Sequence, residues 1–147
     1  MISKFVKAWD VGKENLRDFF TTHKQKEYDT YEKIVKQLVR IVINPYIRET
    51  KYEDEFMEEL NLEDMVAIDH GDYQGTQIFI FHKDTYQPGV DDYYYTHNYY
   101  GSCSGCDTLL SLLEWDDETL PTKSQVDGYM ELSLHLLQKF KNLKEED

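Results

Sequence analysis

Cys103 and Cys106 are the two cysteines of the chain, spaced C-x-x-C in Tyr100-Gly-Ser-Cys-Ser-Gly-Cys-Asp-Thr-Leu109. Three chemistries use that spacing. A dithiol redox pair is favoured by a following helix, whose N-terminus stabilises thiolate. Against it, acids rather than bases crowd the neighbourhood and raise a thiol pKa. The strands around it also read as antiparallel, whereas thioredoxin-type motifs follow a parallel strand. A zinc site needs four ligands, of which C-x-x-C supplies two. His97, six residues upstream, and His70 or His82, in or beside a hairpin, could complete a Cys₂His₂ set, although that second pair has no standard spacing. The third reading is packing, with small apolar cysteines and flanking Gly101 and Gly105 letting a tight turn pass the sheet. Packing stands level with the metal and redox readings together.

Other catalytic signatures are missing from the sequence. It contains no G-x-S-x-G, P-loop, G-x-G-x-x-G or H-E-x-x-H. Asp69, His70, Asp72, Asp91 and Asp92 are types that hold hydrolytic metals, but acids are too common here for their clustering to carry that reading. The sequence therefore favours a protein without enzymatic activity.

Binding chemistry is better represented. Twelve tyrosines occur in 147 residues, five of them between Tyr93 and Tyr100. On a sheet, tyrosine offers rigid amphipathic contact area of the kind enriched at interfaces, and Tyr94 and Tyr100 are the candidate anchors; the alternative is that half of these tyrosines build core and the others reflect β-propensity. Stacking of single-stranded bases would need a basic surround. Residues 53–118 instead hold 17 acids and one base, Lys83. That excess argues against nucleic acid and anionic membrane and suits a basic protein partner, although acidity that simply keeps a small domain in solution is the first-ranked reading. Asp54, Glu55, Glu58, Glu59, Asp116, Asp117 and Glu118 are the candidate acidic face, each of which taken singly also reads as a solvated surface residue.

The elements that position these residues follow from periodicity. Leu16, Phe19 and Phe20 line a short helix opening at Asp10. Asp29 with Glu32 forms a capping box for a second helix carrying Tyr31, Ile34, Val35, Leu38, Ile41 and Val42, which Asn44-Pro45 is expected to end. Thr50 with Glu53 caps a short acidic helix through Tyr52, Phe56, Met57 and Leu60. The period then changes to that of strands, at about 65–70, 76–82 and 92–100, with His70-Gly-Asp-Tyr-Gln-Gly75 as turn chemistry. The Ile78–Phe81 run predicts a central strand buried on both faces. Asp107 can cap an apolar helix to Trp115. Thr122 with Gln125 caps a last helix to about Leu143, with Leu143 inward and Lys139, Lys141 and Lys144 near its negative end. The expectation is a single α+β domain over residues 1–147, with a small three-stranded antiparallel sheet packed by N- and C-terminal helices.

Bulk properties fit a globular chain. Hydrophobic residues make up 40% of it, enough for a core. No apolar run approaches the ~18–20 residues that cross a bilayer. The N-terminal residues lack the apolar segment of a secretion signal, so a cytoplasmic protein is expected, in which two cysteines serve as thiols or ligands rather than as a structural disulfide. Net charge is −13, split as +4 over residues 1–52 and −17 over residues 53–147.

The Tyr100–Leu109 run, taken with His70-Gly-Asp-Tyr-Gln-Gly-Thr76, resembles small proteins encoded by bacteriophages of Gram-positive bacteria. Those pair a G-D-Y-x-G-T hairpin with a Y-G-S-C-S-G-C-D-x-L turn. The resemblance covers the middle third of the chain and brings no catalytic residue with it. It implies a viral accessory protein acting inside the host cell. With the acidic surface, it implies a host-directed inhibitor or modulator, such as an anti-defence or anti-CRISPR factor mimicking nucleic-acid charge. No cofactor is expected under that reading, and zinc belongs to the alternative centred on the C-x-x-C turn.

Overall fold

The computed structural model of the chain describes residues 2–23, 31–50, 58–71, 75–100 and 120–143, with the backbone alone for 2–4, 69–71, 75, 99 and 100. The Asp29 cap, Phe56, Met57, the Asp107 cap, the apolar segment to Trp115 and Lys144 lie outside the described residues.

Helix α1 runs from Ile2 to Thr22, eight residues earlier than the sequence reading places it. The reason is a longer apolar stripe. Phe5, Ala8, Trp9, Leu16 and Phe20 are all buried, and Gly12 fills the gap in their helical period. A Cβ at Gly12 would stand 3.2 Å from the Cα of Val42. The missing side chain is what lets α1 lie this close to its neighbour.

That neighbour is one continuous helical run, made of α2 (Tyr31–Leu38), a π-helical turn (Val39–Ile43) and α3 (Asn44–Thr50). Asn44-Pro45 therefore does not end the helix. Proline removes a backbone donor, and its ring presses on the carbonyl four residues back. The wider π turn relieves this, and the Asn44 N–H bonds to the carbonyl of Val39, five residues back. It also turns adjacent positions inward, so that Leu38, Val39, Val42 and Ile43 are all buried. Thr50 closes α3, its hydroxyl donating to the Tyr46 carbonyl at 2.8 Å, and the acidic helix expected after it, with Tyr52 and Glu53, lies outside the described residues. Glu58 and Glu59 lie in non-helical backbone, and Leu60 bridges to Lys83.

The sheet has four antiparallel strands in the order β1-β2-β3-β4, with β1 Val66–Gly71, β2 Gly75–His82, β3 Tyr93–Tyr100 and β4 Lys141–Asn142. The first three match expectation; the fourth is a correction. Helix α4 covers Lys123–Gln138, with Lys139 as its C-cap. The chain then pairs Lys141 with Tyr95 and Asn142 with Tyr94. The Asn142 amide donates to the Asp91 carbonyl at 2.7 Å, and the Leu143 N–H to the Tyr93 carbonyl at 2.9 Å. Lys141 consequently lies on a strand rather than at the helix end, and Leu143 is exposed. A two-residue strand carries no periodicity for sequence to show. The α4 cap does match its reading, since the Thr122 hydroxyl accepts from the Gln125 N–H at 3.1 Å and the Gln125 side chain accepts from the Thr122 N–H at 3.0 Å.

Helices and sheet share one buried core, in which Phe5 of α1 packs edge-on to Tyr94, with ring centroids 6.2 Å apart, and Phe140 lies 5.9 Å from Phe81. The strand segment entering the sheet is held by Asn44, which is 6% exposed. Its amide donates to the Leu60 carbonyl at 3.0 Å, and its oxygen accepts from the Leu60 N–H at 2.8 Å. Replacing Asn44 with Ala would orphan both buried backbone groups, and each such loss costs ~1–3 kcal/mol. Urea unfolding of Asn44→Ala is expected to show a loss of about 2–4 kcal/mol with an unchanged m-value.

Candidate functional site

The side-chain period of two divides the sheet into two faces. Directly paired residues share a face, so the register assigns each position. Phe79 with Thr96, and Phe81 with Tyr94 and Asn142, lie on the helix side. Phe79, Phe81 and Thr96 are fully buried there. The Thr96 hydroxyl donates to the Leu136 carbonyl of α4 at 2.7 Å, which also accepts the Lys139 N–H at 3.2 Å at the helix end, so the strand is tied to the last turn.

The opposite face is the candidate site. One row crosses Val66, Ile80, Tyr95 and Lys141; the next crosses Ile68, Ile78 and His97. Val66 and Ile68 are 51% and 45% exposed. Ile78, Ile80, Tyr93 and Tyr95 are half-buried, and His97 is exposed. These residues give a contiguous apolar surface with aromatic content, the composition of a docking patch. The sequence reading expected Ile78–Phe81 to be buried on both sides. Only Phe79 and Phe81 are fully buried, because the helices cover a single face. Val66 and Ile68 were recognisable in sequence as alternate residues of a strand, but nothing in the sequence says which face is covered.

The tyrosine assignment changes accordingly. Tyr94, expected as an exposed anchor, is 2% exposed and part of the core. Tyr95 and Tyr93 are the tyrosines of the open face. The side chain of Tyr100 lies outside the described residues.

The histidines separate by environment. His82 holds two partners, its Nδ1 donating to the Lys83 carbonyl at 2.7 Å and its Nε2 lying 3.2 Å from a carboxylate oxygen of Asp64. Both ring nitrogens are thereby engaged. His97 sits at the mouth of the open face, where partial burial and then the ammonium groups of Lys139 and Lys141 hold its imidazole below the usual histidine range. Those two cations also oppose a divalent ion at His97. His70 occupies a register position on the same face, separated from His97 by β2; its side chain, Cys103 and Cys106 lie outside the described residues. Among the described residues, no three His, Cys, Asp or Glu side chains are grouped to hold a metal.

Of the candidate acids, Glu58 is exposed. Glu59 accepts from Arg48, with Nη2 to Oε1 at 2.6 Å. Asp54, Glu55, Asp116, Asp117 and Glu118 lie outside the described residues. Two acids that the sequence reading did not single out, Glu63 and Asp64, are exposed immediately before β1, and their signal was simply adjacency to a strand. Among the described residues no helix is long and apolar enough to cross a membrane.

Comparison with known proteins returns no matching family model, curated protein or solved structure.

The His97 environment makes a signed prediction. A histidine held below its unfolded value of ~6.5 leaves the unfolded chain binding more protons near that pH. The associated stability is complete above pH ~6.5 and is lost as pH falls through the folded value. NMR titration of His97 should move upward in Lys139→Gln and Lys141→Gln. An unmoved titration in both variants would remove the lysines as a cause.

Proposed function

We propose that this chain is a non-enzymatic binding protein that docks on a basic protein and modulates it. The observation supporting this reading is the apolar patch of Val66, Ile68, Ile78, Ile80 and Tyr95 beside exposed carboxylates. Apolar area of this kind supplies affinity, while the surrounding acids select the sign of the partner and speed encounter. Residues 58–100 contain nine acids against one Lys or Arg, and that base, Lys83, approaches Asp92 at 4.0 Å. Its resemblance to small bacteriophage proteins, carried by the two motifs of the middle third, supports a host protein as the partner and the host cytoplasm as the place of action. A host-directed inhibitor or anti-defence factor fits that setting. Mimicry of nucleic-acid charge would need a continuous array of free carboxylates, and Glu59, one of its candidates, is already engaged by Arg48.

Host lysate passed over the immobilised chain tests this reading with three variants. Ile68→Asp places a charge in the patch, and the bound protein is expected to fall at least about tenfold, the loss of ~1.4 kcal/mol or more. Glu63→Lys is expected to weaken capture and reduce its salt dependence. Cys103→Ser should leave capture intact. Loss with Cys103→Ser and retention with Ile68→Asp would reverse the assignment, in favour of a metal- or thiol-dependent module.

A further inference from the structure

The two edges of the sheet are unequal. On one side β4 is two residues long, a short edge of the kind that resists further pairing. On the other, β1 offers six residues and ends the strand order. In a strand every second residue turns its N–H and C=O away from the neighbouring strand. Among the described residues no strand pairs with that outer side of β1. Of the usual protections of an edge, Val66-Ala-Ile-Asp-His-Gly71 contains neither proline nor lysine, and its one acid, Asp69, is of the sign that favours a basic strand. Ala67, on the helix side, is exposed as well. The helical layer therefore stops short of β1 and leaves room for side chains on both faces of an added strand.

The electrostatics say what kind of strand. Residues 58–71 contain five acids and no Lys or Arg. Glu58, Glu63 and Asp64 are exposed at the entry to β1, and Asp84 is exposed beside them. Glu59 shows what these carboxylates take, a guanidinium at 2.6 Å. A second copy of this chain fits poorly. Antiparallel pairing of two β1 edges would bring the acidic entry of each strand, Glu63 and Asp64, toward the Asp69 end of the other, between molecules each of net charge −13.

We propose that the outer edge of β1, unpaired among the described residues, accepts an extended segment of a basic partner protein as a fifth strand, with apolar β-branched residues extending the Val66–Ile68 surface and Lys or Arg at its ends meeting Glu58, Glu63 and Asp64. This rests on the binding reading above and supplies its mode. Backbone hydrogen bonds to the edge give affinity, and alternate side chains with the terminal charges give selectivity.

The test uses the full chain and a synthetic probe, a peptide of alternating valine and threonine with a lysine pair at each end. Amide NMR is expected to show shifts centred on residues 58–71, with a Kd of about 10–100 μM, in the weak range of short strand additions. The same peptide with glutamate ends should bind at least about tenfold more weakly, and added salt should narrow that gap. A proline at the central valine should abolish binding, because it removes a ladder donor. The proposal is overturned by no binding of the lysine-ended peptide up to ~1 mM, a Kd with no useful affinity. Equal binding of the proline peptide overturns it too. So does sedimentation of the free chain as a dimer with β1 amides protected, which would give the edge to a second copy. If the peptide fails while Ile68→Asp still releases the captured host protein, the edge mode falls and the docking surface stands.

Discussion

The covering of one face of the sheet by the described helices is the constraint on which the remaining structure depends. Phe79, Phe81 and Tyr94 must be buried, and α1, the helical run from Tyr31 to Thr50 and α4 are assembled to do it. Each device in the fold serves that layer. Gly12 lets α1 approach Val42 closely, and the π turn carries the second helix past Pro45 without losing its inward residues. Asn44 clamps the strand-side segment at Leu60, and Thr96 ties β3 to the end of α4. Because the described helices commit to the same side, the alternate residues of the same strands face away from them. The open face is a consequence of how the core was built.

That consequence has a chemical character of its own. A sheet surface left to water ordinarily alternates apolar inside and polar outside. Here the outward positions of β1 and β2 include Val66, Ile68, Ile78 and Ile80 beside His70, Thr76 and His82, an apolar cluster on a face that the described helices leave uncovered. Fully burying a β-branched side chain is worth about 1.5–3 kcal/mol, and about half of that remains to be gained at Val66 and Ile68, 51% and 45% exposed, so several together on a partner support useful affinity. The charge arrangement refines the picture. Acids gather at the β1 end, whereas Lys139, Lys141 and His97 gather at the β4 end. The surface is therefore polar along its length, and that orients a partner as well as attracting it.

Much of the fold was legible in the sequence, and the failures have physical causes. Strands β1 to β3 were readable from turn residues and alternation, and the α4 cap from Thr122 and Gln125. The fourth strand was not, because Lys141–Asn142 pair through backbone and through the Asn142 side chain rather than through any pattern. Proline at position 45 reads as a stop in a regular helix, and only a local change of register lets the helix pass it. The candidate surface was legible in kind but not in place. Acid excess and β-sheet tyrosines pointed to binding, yet the parity that sends Tyr94 inward and Tyr95 outward depends on which side the helices take. A one-residue step reverses it.

The account stands or falls on whether the outer side of β1 is free in the isolated chain. Amide hydrogen exchange followed by NMR reads this residue by residue. If the edge is open, protection along Val66–Gly71 alternates, slow where the N–H bonds to β2 and fast where it points outward, while β2 is slow throughout. Uniformly slow exchange along β1, matching β2, would show that the edge is already occupied and would contradict the account.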